Sequence, residues 1–235
     1  MPNPTNSTEY NYADFTPSSY DFTKQTGLQV GDTLPDFALT DISGKTVKLT
    51  SLLGQTLVLE TGSITCPLYV GKIKSMNALA RAHQDVNFAV IYIREAHPGK
   101  RIPAHTNTGE KTHNAQLLKN NEPENRTVLV DSLGGKLHER LGLLPNMAYI
   151  IDKTGTVLYR ADWNIPDRID AVLSTIKAGT PISGEPADFT PVAPHYSLKV
   201  LARAGGIKAI WDFLSHLPQL MRQHRAHRKN KGRSR

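Results

Sequence analysis

The chain has 235 residues, 39% hydrophobic and 21% charged, which is enough for one substantial core with about 40 to 60 residues left for extensions. Its formal net charge of +7 is unevenly spread: from Leu198 onward ten Lys or Arg stand against one acid, Asp212, leaving the remainder close to neutral. A single cysteine, Cys66, excludes an intrachain disulfide and a resolving thiol of the chain's own, no run of about eighteen apolar residues offers a membrane span, and the polar N terminus lacks a basic-then-apolar leader, so a soluble cytoplasmic protein is expected.

Residues 1–27 are Asn, Thr, Ser, Tyr and Pro without a lasting period and are expected to form a flexible or loosely docked arm. A domain over 28–179 opens at Gly31-Asp32-Thr33-Leu34-Pro35-Asp36-Phe37-Ala38-Leu39. The turn Asp41-Ile42-Ser43-Gly44-Lys45 then leads into a return strand carrying Val47 and Leu49. Strands are predicted over 56–61, 87–93, 127–130 and 147–151, with 157–160 as a hairpin partner. Several are short apolar runs, as central strands covered on both faces should be. Between them, Ile73, Met76, Leu79 and Ala80 form a helical stripe, followed by segments with Ala115, Leu117 and Leu118, with Leu133, Leu137 and Leu141, and with Ile169, Val172, Leu173 and Ile176. Alternating strands and helices predict an α/β class: a central mixed sheet flanked by helices, with an N-terminal hairpin and a C-terminal helical basic extension. Residues 180–197 are Pro-rich and read as a linker. Over 198–235, Ile207, Ile210, Trp211, Leu214, Leu217 and Met221 predict an amphipathic helix despite Pro218, followed by a disordered basic tail from His224.

Cys66 follows the apolar run Leu57-Val58-Leu59 and precedes Pro67, which favours a helix start and places the sulfur at or beside the N-cap, where free N–H groups favour a thiolate. The flanking Ser63 and Thr65 are additional hydroxyls. The next strand ends in Glu95-Ala96-His97, on the carboxyl edge where ligands of open α/β sheets bind. Two residues apart, Glu95 is expected to hold the His97 imidazole while it moves a proton. Metal binding has no ligand spacing to support it.

Gly31-Asp32-x-x-Pro35-Asp36-Phe37 through Gly44-Lys45 resembles the entry hairpin of the peroxiredoxins and thiol-disulfide reductases of the thioredoxin superfamily. Gly62-Ser63-Ile64-Thr65-Cys66-Pro67 together with Tyr92-Ile93-Arg94-Glu95-Ala96-His97-Pro98 resembles the iodothyronine deiodinases, over roughly residues 30 to 178. That resemblance implies a thioredoxin-like fold. It places Cys66 where the family has selenocysteine, Ser63 and Thr65 as hydroxyl neighbours, Glu95 and His97 as the acid and imidazole, and His113 as a second histidine further along. The loop from Gly99 to Gly109 has no match. Against the peroxiredoxin pattern, Leu59 replaces a proline, and Asn146 cannot supply an arginine's charge.

The expected function is a cysteine-dependent oxidoreductase. The Cys66 thiolate attacks a halogen or a peroxide oxygen, and an external thiol such as thioredoxin or glutathione regenerates it, with no bound cofactor. The alternatives are a one-cysteine peroxidase and a binding protein. In the latter, Trp211 and Phe213 would lie on an anionic membrane, or the tail would contact nucleic acid. A homodimer is compatible with either.

Overall fold

A computed structural model describes residues 10–20, 26–183 and 189–231, with side chains in the last helix described to Gln223. Val, Ile and Leu fill the central positions of three parallel strands, β3 (Thr56–Gly62), β4 (Val86–Tyr92) and β5 (Thr127–Val130). Alternation divides them between two layers of core: Leu57, Leu59, Ala89 and Ile91 bury on one face, while Val58, Phe88, Val90 and Tyr92 bury on the other. β1 (Ala38–Asp41), β2 (Thr46–Lys48), β6 (Ala148–Ile151) and β7 (Val157–Ala161) complete a seven-stranded mixed sheet of order β2-β1-β5-β4-β3-β6-β7. The return strand is shorter than predicted, because Leu49 already belongs to a 3-10 turn over Leu49–Leu52.

The helices are α1 (Pro67–Val70), α2 (Ile73–Ala82), α3 (Thr108–Asn121), α4 (Lys136–Leu141), α5 (Pro166–Lys177) and α6 (Pro194–Lys231). The sheet with its flanking helices is a thioredoxin-like fold. Because β3 and β4 run parallel from Thr56↔Val86 to Gly62↔Tyr92, their carboxyl ends reach one edge together, and the segments after them, 63–66 and 93–97, meet there. Gly62 is required at that edge: a Cβ on it would lie 2.3 Å from the Tyr69 ring.

Both extensions depart from expectation. The part of the N-terminal arm within the described residues is docked: the Arg94 guanidinium sits 5.0, 4.8 and 5.1 Å from the rings of Tyr10, Tyr12 and Tyr20 and donates to the Tyr10 and Ser19 carbonyls. Three aromatic faces around one buried cation hold the arm in place. The C-terminal helix continues to Lys231, past the point where disorder is expected, while residues 232–235 of that tail lie outside the described residues.

Candidate active site

Cys66 is the N-cap of α1, in extended backbone with Pro67 at the first helical position, as its sequence context predicts. Its thiol is buried, 1% exposed, and forms part of the wall of a cavity of about 400 Å³. Burial pushes the Cys66 thiol up to about 11, against the opposing pull of the Tyr69 and Leu68 N–H groups and the Lys72 charge. The N–H groups at the helix start thus act in the direction expected, favouring the thiolate, but one turn of helix does not offset the loss of water around sulfur.

His97 lines the same cavity. Its ring is held by aromatic faces, with Phe15 at 4.2 Å and Phe213 at 5.4 Å between centroids. These surroundings push its imidazole down to about 3 through burial, so it is neutral across the physiological range. Pro145, Trp163 and Leu201 form further parts of a lining that is almost wholly apolar.

Glu95 does not hold His97. Its buried carboxylate accepts from the Thr65 hydroxyl at 2.5 Å, the Tyr92 hydroxyl at 2.5 Å, His105 Nε2 at 2.9 Å, Asn114 Nδ2 at 3.1 Å and the Thr65 N–H at 3.3 Å. Burial alone would raise this carboxyl, but the bonds from His105, Thr65 and Tyr92 outweigh it and hold it below the usual carboxylate range. The hydroxyls named by sequence are links between loops: Ser63 Oγ accepts the Ala96 N–H at 3.1 Å, and Thr65 Oγ1 accepts the His97 N–H at 3.2 Å. Thr65, whose hydroxyl donates to Glu95 and accepts the His97 backbone N–H, is the bridge that sequence spacing assigned to a direct Glu95–His97 contact.

The histidine that the structure places against Glu95 is His105, and His113 is not brought to it. Lys111, Ala115 and Leu118 turn the buried face of α3 to the sheet and Asn114 reaches Glu95, which leaves His113 exposed, one position off that face. His105 lies in the unmatched loop, just before the α3 N-cap Asn107. That cap was its one sequence signal, because a chain entering α3 must return to the carboxyl edge. Its Nδ1 is buried with no hydrogen-bond partner among the described residues.

Lys72 also escapes a motif reading. Its ammonium donates to Asn146 Oδ1 at 3.1 Å and to the Asn164 carbonyl, and burial lowers it to about 8 while Glu60 pulls the other way. Asn146 and Asn164 each also donate to Glu60, at 2.7 and 2.6 Å, and Glu60 is paired with Arg126. Asn146 supplies no charge of its own, but it holds the lysine whose charge acts on Cys66. Among the described residues there is no cluster of three metal-ligating side chains.

A sequence model of the iodothyronine deiodinase family matches residues 8–167. Thyroxine 5-deiodinase of Sus scrofa is 31% identical over 114 residues, 44% of this chain and 37% of that protein, and the Homo sapiens enzyme is 30% identical over the same shares. The matched segment thus spans less than two fifths of the length of these curated relatives. Among solved structures, a protein described as a thiol:disulfide interchange protein DsbE from Chlorobium tepidum superposes with a TM-score of 0.51 at 22% identity, over 65% of this chain and 98% of that one. That likeness speaks for the shared fold alone.

Proposed function

The chain belongs to the iodothyronine deiodinase family, and from that premise we propose that it is a thiol-dependent oxidoreductase whose Cys66 sulfur attacks a halogen on an aromatic ring seated in the apolar cavity. The observation that carries this reading is that Cys66 and His97 share the wall of a cavity of about 400 Å³ lined by Phe15, Trp163, Phe213 and aliphatic side chains. A pocket of that size and lining suits a flat apolar ring. Hydrogen peroxide would find little to bond there, so the lining favours the aromatic substrate over the peroxidase reading.

In this scheme a sulfur–halogen bond forms as the carbon–halogen bond breaks. The electron pair stays on the ring carbon, which takes up a proton relayed through the neutral His97 imidazole. Lys72 and the N–H groups of Leu68 and Tyr69 stabilise the charge on sulfur once its proton leaves. An external thiol, such as thioredoxin or glutathione, then attacks the sulfenyl halide, releasing halide and forming a mixed disulfide. A second thiol frees Cys66. Glu95, His105 and Asn114 are positioning residues that hold the Thr65 end of the loop.

The test is iodide release from an iodinated phenol in the presence of dithiothreitol, with thiol oxidation by hydrogen peroxide followed in parallel. Release by the unaltered chain and its loss in Cys66→Ser are expected. Equal release by Cys66→Ser would overturn the mechanism, and fast oxidation by peroxide without iodide release would transfer the site to peroxide chemistry.

A further inference from the structure

We propose that the second half of α6 docks on an anionic lipid bilayer, seating an exposed apolar stripe of Ile207, Trp211, Leu214 and Met221 in the membrane interface. This inference is independent of the chemistry at Cys66.

Two halves of α6 meet at Gly206, whose φ of 70° and ψ of −152° break the helix. The first half is fixed to the domain. Val200, Leu201 and Ala204 are buried, and Arg203 bonds both Glu122 and, at 2.7 Å, the Ile64 carbonyl beside Cys66. The N–H groups of Arg101 and Ile102 cap the Ala204 carbonyl at 2.8 and 3.0 Å. The second half touches the domain through Phe213 and the buried Leu220.

The rest of its apolar surface faces outward: Ile207 is 75% exposed, Trp211 67%, Leu214 45% and Met221 43%. Steps of four, three and seven residues put these four on one side of the helix. Ile207 and Trp211 line no part of the catalytic cavity, so substrate binding does not account for them, whereas Leu214 and Met221 also belong to the cavity's rim. A contiguous exposed stripe of this kind marks an interface.

Charge decides the occupant. Lys208 and Arg222 are exposed along this half, and the sequence continues with Arg225, Arg228, Lys229, Lys231, Arg233 and Arg235 without an acid. A second copy of the chain would bring the same basic run against this one, and like charges repel. Nucleic acid would engage the basic residues but leave the stripe in water. An anionic bilayer satisfies both, with tryptophan at headgroup depth, apolar side chains below it and Lys or Arg against anionic lipid. No helix among the described residues is long and apolar enough to cross a membrane, and the proposed helix lies in the plane of the interface.

The experiment is co-sedimentation of the whole chain with vesicles of phosphatidylcholine alone or mixed with phosphatidylglycerol, alongside the double variant Ile207→Glu/Trp211→Glu. At least about tenfold more binding to the anionic vesicles is expected, released by raising salt from about 0.1 to 0.5 M and lost in the double variant. Both replaced side chains are exposed, so circular dichroism of the variant should match the unaltered chain. As a check that needs no variant, anionic vesicles should shift tryptophan emission to the blue. Absence of vesicle binding, equal binding to both vesicle types, or undiminished binding by a folded double variant would each overturn the proposal. So would a dimer in vesicle-free solution that the double variant abolishes, because the stripe would then belong to a second copy.

Discussion

The loop from Ser63 to Cys66 has two sides built on opposite rules. Toward α3 it meets a saturated polar cluster: Glu95 accepts five hydrogen bonds, from Thr65 twice, Tyr92, His105 and Asn114, and each hydroxyl of the loop is committed. Toward α6 it meets an apolar cavity in which Cys66 and His97 are held by packing and aromatic contact. A carboxylate with five donors is fixed in place and poorly suited to taking up a proton, whereas the neutral imidazole between two phenyl rings has no ion-pair partner among the described residues. The polar side supplies rigidity, and the apolar side supplies a cavity in which sulfur and imidazole are largely withdrawn from water.

The sharpest way to break this contrast is through the titration of Cys66. With burial pushing its thiol up to about 11, the thiolate fraction rises about tenfold with each pH unit below that value. Alkylation by iodoacetamide in the native state should therefore accelerate about a thousandfold from pH 7 to 10, while in urea it levels off near an ordinary thiol's 8.5. A native rate already flat between pH 7 and 8 would show that the apolar side does not govern the sulfur.

On the polar side, Glu95→Leu strands four buried donor groups and should lower stability by about 3 kcal/mol or more, read as a lower urea midpoint. Glu95→Gln keeps the shape and part of the bonding, and should recover a share of that loss. If both variants denature with the unaltered chain, the cluster is not what holds the loop. Ser63→Ala leaves the Ala96 N–H without its acceptor, for an expected cost of about 1 to 2 kcal/mol by the same measurement.

The polar and apolar sides were unequally legible in the sequence. Apolar runs such as Leu57-Val58-Leu59 and Val90-Ile91 specify strands covered on both faces, and Cys66-Pro67 after the first run places the sulfur at a helix start, so the sheet and the carboxyl edge follow from local pattern. Glu95 and His97 are likewise brought to that edge by their strand. What they bond to is not local: His105 reaches Glu95 from ten residues on, through a loop without pattern, and His113 is displaced from the site by the facing of α3. Lys72 looks like an ordinary helix-start lysine until Asn146 and Asn164 arrive from 74 and 92 residues away. The cavity was least visible of all, because its walls include Phe15 and Tyr20 from an arm read as loose and Phe213 from a helix read as an appendage.

Phe213 provides the smallest and most selective test, since it belongs to the apolar side alone. Its ring meets His97 edge-on at 82°, and it packs against the domain while only partly buried. An aromatic contact of this kind contributes about 0.5 to 1.5 kcal/mol. Phe213→Ala should therefore lower the urea midpoint by the equivalent of only about 0.5 to 1.5 kcal/mol and raise KM for an iodinated phenol about three- to tenfold, with kcat altered less. The same change widens the access of water to the partly buried His97, which relieves the burial that holds the imidazole down at about 3 and moves it upward toward the usual 6.5. Between pH 5 and 6 the His97 ring signals in a proton NMR titration should then move in the variant and stay fixed in the unaltered chain. A titration identical in both would mean that Phe15 and the remaining walls set the surroundings of His97 without help from α6, and the cavity would be a property of the sheet edge and the arm alone.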